Sequence, residues 1–224
     1  MSEDDFVPRV IEMGEGLIEN NEKIYKGYTQ KLQEKGVRLI EVVGAIGAGK
    51  TLILENLVEV LTAELGLRIF VICGDVVTRV DANRIEEHGA KVVQINTGRE
   101  CALNAYHINR VIENMNLDEY DVVFIENVGN LICPSDFLLG SEIRILVVSI
   151  TEGPWVIRKH PLLVKQSNFC LINKMDLQPH LNVDVESMVA DAKAINGDLD
   201  VLEFSALKEE DIRQLAEKIG YKLD

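Results

Sequence analysis

The chain has 224 residues, 47% hydrophobic and 27% charged, which suits one α/β domain with a modest appendage and enough apolar material for a core. A formal net charge of −14 disfavours nucleic acid as a partner, because phosphate neutralisation needs a basic surface. No apolar run reaches membrane-spanning length, Met1-Ser2-Glu3-Asp4-Asp5 is unlike a signal peptide, and four separated cysteines form no secreted disulfide framework. No membrane role is expected, and the expected location is the cytoplasm.

Residues 8–34 carry a helical stripe of Leu17, Ile18, Ile24, Tyr25, Tyr28 and Leu32, ended by Lys35-Gly36. Residues 1–36 are therefore read as a helical extension packed on a domain spanning 37–224. Apolar strands follow near 37–43, 68–73, 91–95, 121–126, 143–150 and 168–173, with a shorter one near 200–204. Helical stretches lie between most of them, near 51–65, 79–88, 101–116, 184–195 and 208–219. This alternation predicts an α/β fold: a mostly parallel sheet with helices on both faces and ligand at the carboxyl ends of the strands.

Between the first of these strands and its helix stands Gly44-Ala45-Ile46-Gly47-Ala48-Gly49-Lys50-Thr51, a match to G-x-x-x-x-G-K-[ST] in the strand–loop–helix setting that the motif needs. Glycines let successive N–H groups turn inward around phosphate oxygens, and the helix N-terminus adds positive potential. Lys50 is placed to neutralise the β- and γ-phosphates, and the Thr51 hydroxyl to ligate Mg²⁺.

The base is read further on. Asn173-Lys174-Met175-Asp176 closes an apolar strand and matches N-K-x-D. An Asp176 carboxylate accepts from both guanine N1–H and the exocyclic amine, a donor pair adenine lacks. Asn173 ties the base to nearby loops, the Lys174 stem covers the ring, and Ser205-Ala206-Leu207 resembles the loop whose N–H meets guanine O6. GTP and GDP are the expected ligands. Asp75 and Glu126 end two other strands, where carboxylates suit Mg²⁺ and the orientation of attacking water. Lys50, Asp75 and Glu126 are the candidate catalytic residues, and the Gly129 N–H is a candidate sensor of the γ-phosphate. Asp81 and Arg79 are open between a role and none.

Gly74-Asp75-Val76-Val77-Thr78-Arg79-Val80-Asp81-Ala82-Asn83-Arg84-Ile85 resembles the switch segment of the hydrogenase nickel-incorporation GTPases, the HypB family. Gln94-Ile95-Asn96-Thr97-Gly98, Glu126-Asn127-Val128-Gly129-Asn130-Leu131-Ile132-Cys133-Pro134 and Thr151-Glu152-Gly153 look like further signatures of that family. The resemblance implies a GTPase of the SIMIBI class that dimerises with GTP. It also implies help in delivering nickel to [NiFe]-hydrogenase, alongside other maturation partners and the hydrogenase large subunit. Two departures stand out: Cys101-Ala102-Leu103 lacks the family's histidine after the cysteine, and Val156-Ile157-Arg158-Lys159-His160-Pro161 keeps only part of the usual stretch.

With that resemblance, Cys101 and Cys133 become candidate Ni²⁺ or Zn²⁺ ligands. Cys101 is expected at a helix start, which favours thiolate, and two chains about a dyad would offer four sulfurs. Cys73 and Cys170 read as core residues, His107 as poorly placed to replace the missing ligand, and His88, His160 and His180 as surface residues. Two other readings compete: a GTP-regulated metal-storage or scaffold protein, and a maturation GTPase for a different metalloenzyme.

Overall fold

The computed structural model describes the backbone of residues 13–75, 80–98 and 101–223. Residues 8–12 of the expected first helix, Arg79, and the side chains of Asp75 and Asp81 lie outside the described residues. In chain order the elements are α1 (Met13–Glu34), β1 (Arg38–Gly44), α2 (Lys50–Leu65), β2 (Ile69–Asp75), α3 (Val80–Glu87), β3 (Lys91–Asn96), α4 (Ala105–Ile112) and β4 (Val122–Glu126). Then come β5 (Ile143–Ser149), α5 (Val156–Lys159), α6 (Pro161–Lys165), β6 (Phe169–Asn173), α7 (Val185–Ile195), β7 (Asp200–Glu203) and α8 (Glu209–Lys218).

Among the described residues, seven strands form one sheet in the order β3-β2-β4-β1-β5-β6-β7, and each pairing between them is parallel. Strands buried on both faces read as continuous apolar runs, and β4 and β6 are buried at every position. The period of two then sorts side chains between layers. Ile40, Val42, Val71, Phe124, Ile145, Val147 and Leu171 point toward Leu54, Leu57 and Leu61 of α2 and Ile212 and Leu215 of α8. On the opposite face, Ile72, Val123 and Ile125 meet Tyr28 and Leu32 of α1 and Ile108 of α4. Leu146, Val148, Cys170 and Ile172 meet Met188 and Ala192 of α7 on that same face.

One helix differs from the sequence expectation. The stretch read as helical over 101–116 is helical only over Ala105–Ile112, because Asn104 caps it: its Oδ1 accepts from the N–H groups of Tyr106 and His107 at 3.1 and 3.2 Å. Cys101 therefore lies in a bend before the cap and not at a helix start. Between β5 and β6, α5 and α6 are short helices that the sequence reading did not assign.

Candidate functional site: a phosphate loop beside a cysteine pair

At the carboxyl end of the central strand β1, the chain turns through residues 44–49 into α2. Gly49, at the N-cap of α2, has φ 106°, a left-handed conformation that glycine adopts without Cβ strain. Lys50 is buried, and its Nζ donates to the carbonyls of Gly44 and Ala45 at 3.2 and 2.9 Å, folded over its own loop. The Thr51 hydroxyl donates to Glu126 Oε1 at 2.7 Å. A hydroxyl and a buried carboxylate side by side at a phosphate loop are the hard oxygen donors that Mg²⁺ takes alongside nucleotide phosphates, so the residues fit that ion. Asp75 ends β2, where it pairs in register with Asn96.

The segment after Glu126 lies against the phosphate loop. Asn130 N–H donates to Gly44 O at 3.1 Å, and a Cβ on Gly129 would overlap Ile46. Together these groups line a cleft of about 360 Å³ whose walls include Gly47, Gly49, Lys50, Thr51, Glu126 and Gly129. Arg84 and Gln94 also line it; the sequence reading placed both in family signatures without giving either a role of its own. Arg84 Nε stands 2.7 Å from Glu55 Oε1 on α2, one turn beyond Thr51, joining α3 to the phosphate-loop helix.

At the end of β6, Asn173 joins two loops. Its Nδ2 donates to Ala48 O at 2.8 Å, and its Oδ1 accepts from Ala206 N–H at 3.0 Å. Lys174 follows with φ 67°, the one non-glycine residue in the left-handed region among those described. Asp176 Oδ1 accepts from the Ser205 hydroxyl at 2.6 Å, so the N-K-x-D turn and the Ser205-Ala206-Leu207 loop meet as one surface. Leu207 is exposed at its rim. Glu152 also borders this region: its Oε1 accepts from Ser149 N–H at 2.7 Å. Burial raises the Glu152 carboxyl above its ordinary range, against the Ser149 hydrogen bond and the positive charges of Lys174 and Lys50.

The cysteine pair departs from the sequence expectation. Cys101 and Cys133, read there as thiolates that meet across two chains, are joined to one another in a disulfide within one chain, with Cα atoms 6.0 Å apart. The turn after Gly129 explains the approach: Asn130 Oδ1 accepts from the N–H groups of Ile132 and Cys133 at 2.7 and 3.2 Å, rolling Cys133 back toward the bend at Cys101. Ala102 is buried beside them. Among the described residues, no group of three or more His, Cys, Asp or Glu side chains gathers as a metal site. His107 instead helps close the α4 cap, its Nδ1 accepting from Asn104 N–H at 3.3 Å. Cys73 and Cys170 sit in the core, where burial pushes the Cys170 thiol up to about 12.

Residues 38–203 match the nucleotide-binding domain described as CobW/HypB/UreG. A probable hydrogenase maturation factor HypB from Methanocaldococcus jannaschii is 44% identical over 193 residues, 86% of each chain. The crystal structure of the hydrogenase maturation factor HypB from Archaeoglobus fulgidus superposes with a TM-score of 0.83 at 35% identity, covering 90% of this chain and 97% of that one. HypB from Helicobacter pylori, solved in complex with nickel, also gives 0.83, at 26% identity over 89% and 93% of the two chains. More distant likenesses, to a LAO/AO transport system kinase and to the signal recognition particle receptor FtsY, share the SIMIBI-type fold alone. With its phosphate loop, its E-N-V-G-N segment and its cysteine pair in one place, the chain belongs to the HypB branch of the CobW/HypB/UreG nucleotide-binding family.

Proposed function

We propose that this chain binds and hydrolyses GTP with Mg²⁺ and uses the cycle to receive and release nickel during [NiFe]-hydrogenase maturation. The observation that carries this reading is the hydrogen bond from Thr51 to Glu126 at 2.7 Å, because Glu126 begins the short segment that ends at Cys133. A change at the phosphate loop is thereby a change at the base of the cysteine turn.

Lys50 leaves its loop carbonyls to meet the β- and γ-phosphates, while Thr51, Glu126 and Asp75 hold the metal side. Bound there, Mg²⁺ would offset the charge that builds on the phosphate oxygens. Asp75, at the tip of β2, orients the attacking water, and Asp176 reads guanine with Asn173 as the brace behind it. Nickel or zinc is cargo on this reading. One chain offers it the sulfurs of Cys101 and Cys133 only when these are reduced, and a second chain would complete four donors. GTP then favours a homodimer whose cysteine pairs face each other, delivering to maturation partners and the hydrogenase large subunit.

The test is sedimentation of the thiol-reduced protein and of Cys133→Ser with GDP, GTP or a non-hydrolysable analogue, each with and without Ni²⁺ or Zn²⁺. The expected result is a dimer with GTP analogue and metal that loosens on hydrolysis. A monomer under every condition, or metal binding indifferent to Cys133, would overturn the reading.

A further inference from the structure

Behind the cysteine turn, the core holds an ion pair that folding alone does not call for. Arg144 on β5 and Glu41 on β1 are both almost fully buried, with Arg144 Nε and Nη2 donating to the Glu41 carboxylate at 2.9 and 3.2 Å. Burying such a pair costs several kcal/mol of desolvation per ion, and apolar side chains of equal volume often serve stability as well or better. The partners of this pair point to what it does instead.

Glu41 Oε1 also accepts from Asn127 Nδ2 at 2.9 Å. Asn127, fully buried, directly follows Glu126, and its Oδ1 accepts from Leu103 N–H at 3.0 Å, two residues past Cys101. Arg144 Nη2 reaches the other side, donating to Pro134 O at 2.9 Å, one residue past Cys133. Arg144 Nη1 donates to Gln166 Oε1 at 2.9 Å, and Gln166 Nε2 donates in turn to Ser135 O at 3.0 Å. Both cysteine segments therefore hang on one buried network, and that network stands on β1, which runs into the phosphate loop, and on the residue after Glu126.

We infer that Asn127, Glu41, Arg144 and Gln166 are positioning residues: they hold the Cys101 and Cys133 thiols at a set separation, and they pass the state of the phosphate loop to that separation. A planar guanidinium is suited to this, because its fixed fork reaches carboxylate, carbonyl and amide in three set directions, which the compact ammonium of a lysine cannot span at once. The use to which the thiol pair is put rests on the function proposed above, but the positioning can be measured without metal.

The experiment equilibrates the metal-free protein with glutathione: two protein thiols and one oxidised glutathione give the protein disulfide and two reduced glutathione molecules. The equilibrium constant reads the effective concentration of one thiol at the other, with GDP and with a non-hydrolysable GTP analogue. Wild type is expected to form the disulfide with a constant that differs between the nucleotides. Arg144→Lys and the more peripheral Gln166→Ala are expected to lower that constant by about tenfold, the scale of one lost charge-assisted hydrogen bond, and to remove the nucleotide difference. Asn127→Ala should do the same, with melting curves showing that each variant is folded. Folded variants with the wild-type constant and the wild-type nucleotide difference would overturn the inference, as would a wild type whose constant ignores the nucleotide. Nucleotide-dependent thiol positioning in a protein that binds no nickel or zinc would instead leave this inference standing and remove the proposed cargo.

Discussion

Gly49 and Asn173 meet across the mouth of the phosphate loop: a Cβ on Gly49 would overlap the Asn173 amide, which is hydrogen-bonded to Ala48 O and to Ala206 N–H. The phosphate loop and the loop at Ala206 are thus joined through one side chain. Asn173→Ala removes two buried hydrogen bonds at about 1 kcal/mol each, so affinity for GTP and GDP should fall together by roughly 10- to 100-fold. Calorimetric titration checks this. A loss confined to one nucleotide, or none, would mean that the two loops keep their places unaided.

Asp176→Asn should remove guanine selectivity. The exchange sets a donor against guanine's donors, at a cost of about 2–4 kcal/mol for a charge-assisted contact left unmade. The remaining amide oxygen can still accept from Ser205, so the loop surface should survive. Competition among GTP, ATP and XTP is the measurement, with XTP expected to gain relative to GTP. Wild type that prefers ATP would contradict the base assignment outright.

Lys50→Ala should abolish hydrolysis and weaken nucleotide binding strongly. Asp75→Ala should slow single-turnover hydrolysis more than it weakens GDP binding, because its part comes with the γ-phosphate present. Equal losses in both quantities would reassign Asp75 to ground-state binding.

Glu152 gives a pH signature. Its carboxyl is raised by burial, so the folded chain holds that proton more tightly than the unfolded chain does. The sign follows: the contribution to stability is full below the unfolded pKa and is lost as pH rises through the higher folded value. Glu152→Gln, whose Oε1 can still accept from Ser149 N–H, should therefore raise the melting temperature near pH 7 and leave it unchanged near pH 4. A lower melting temperature near pH 7 would show that attraction to Lys174 and Lys50 outweighs the cost of burial.

Much of this was legible in the residue order. Strands such as Val122–Glu126 and Phe169–Asn173 are buried on both faces and therefore print as unbroken apolar runs. The phosphate loop and the N-K-x-D turn carry their chemistry at fixed spacing. What stayed hidden depends on separation in the chain. The resemblance brought Cys101 and Cys133 to one metal across two chains, but they lie 32 residues apart and no local pattern announces a bond within one chain. The start of α4 was misread because Asn104 takes the cap from inside an otherwise helical run. Arg144 and Glu41 each look like a polar interruption of an apolar strand until β1 and β5 are laid side by side.

The helix α1 gives the molecule a practical boundary. Asn21 Oδ1 accepts from Ala105 N–H at 2.7 Å and its Nδ2 donates to Leu138 O at 2.7 Å, while the buried Tyr28 hydroxyl donates to Leu139 O at 2.5 Å. One helix thus buttresses, from outside the sheet, both stretches of chain that leave the cysteines. A protein trimmed to begin at Val37 keeps every residue proposed above to meet the nucleotide, yet frees those two stretches and bares Ile108 and Leu139 to water. Trimming would yield a preparation that passes a nucleotide-binding assay and fails every assay that depends on the thiols.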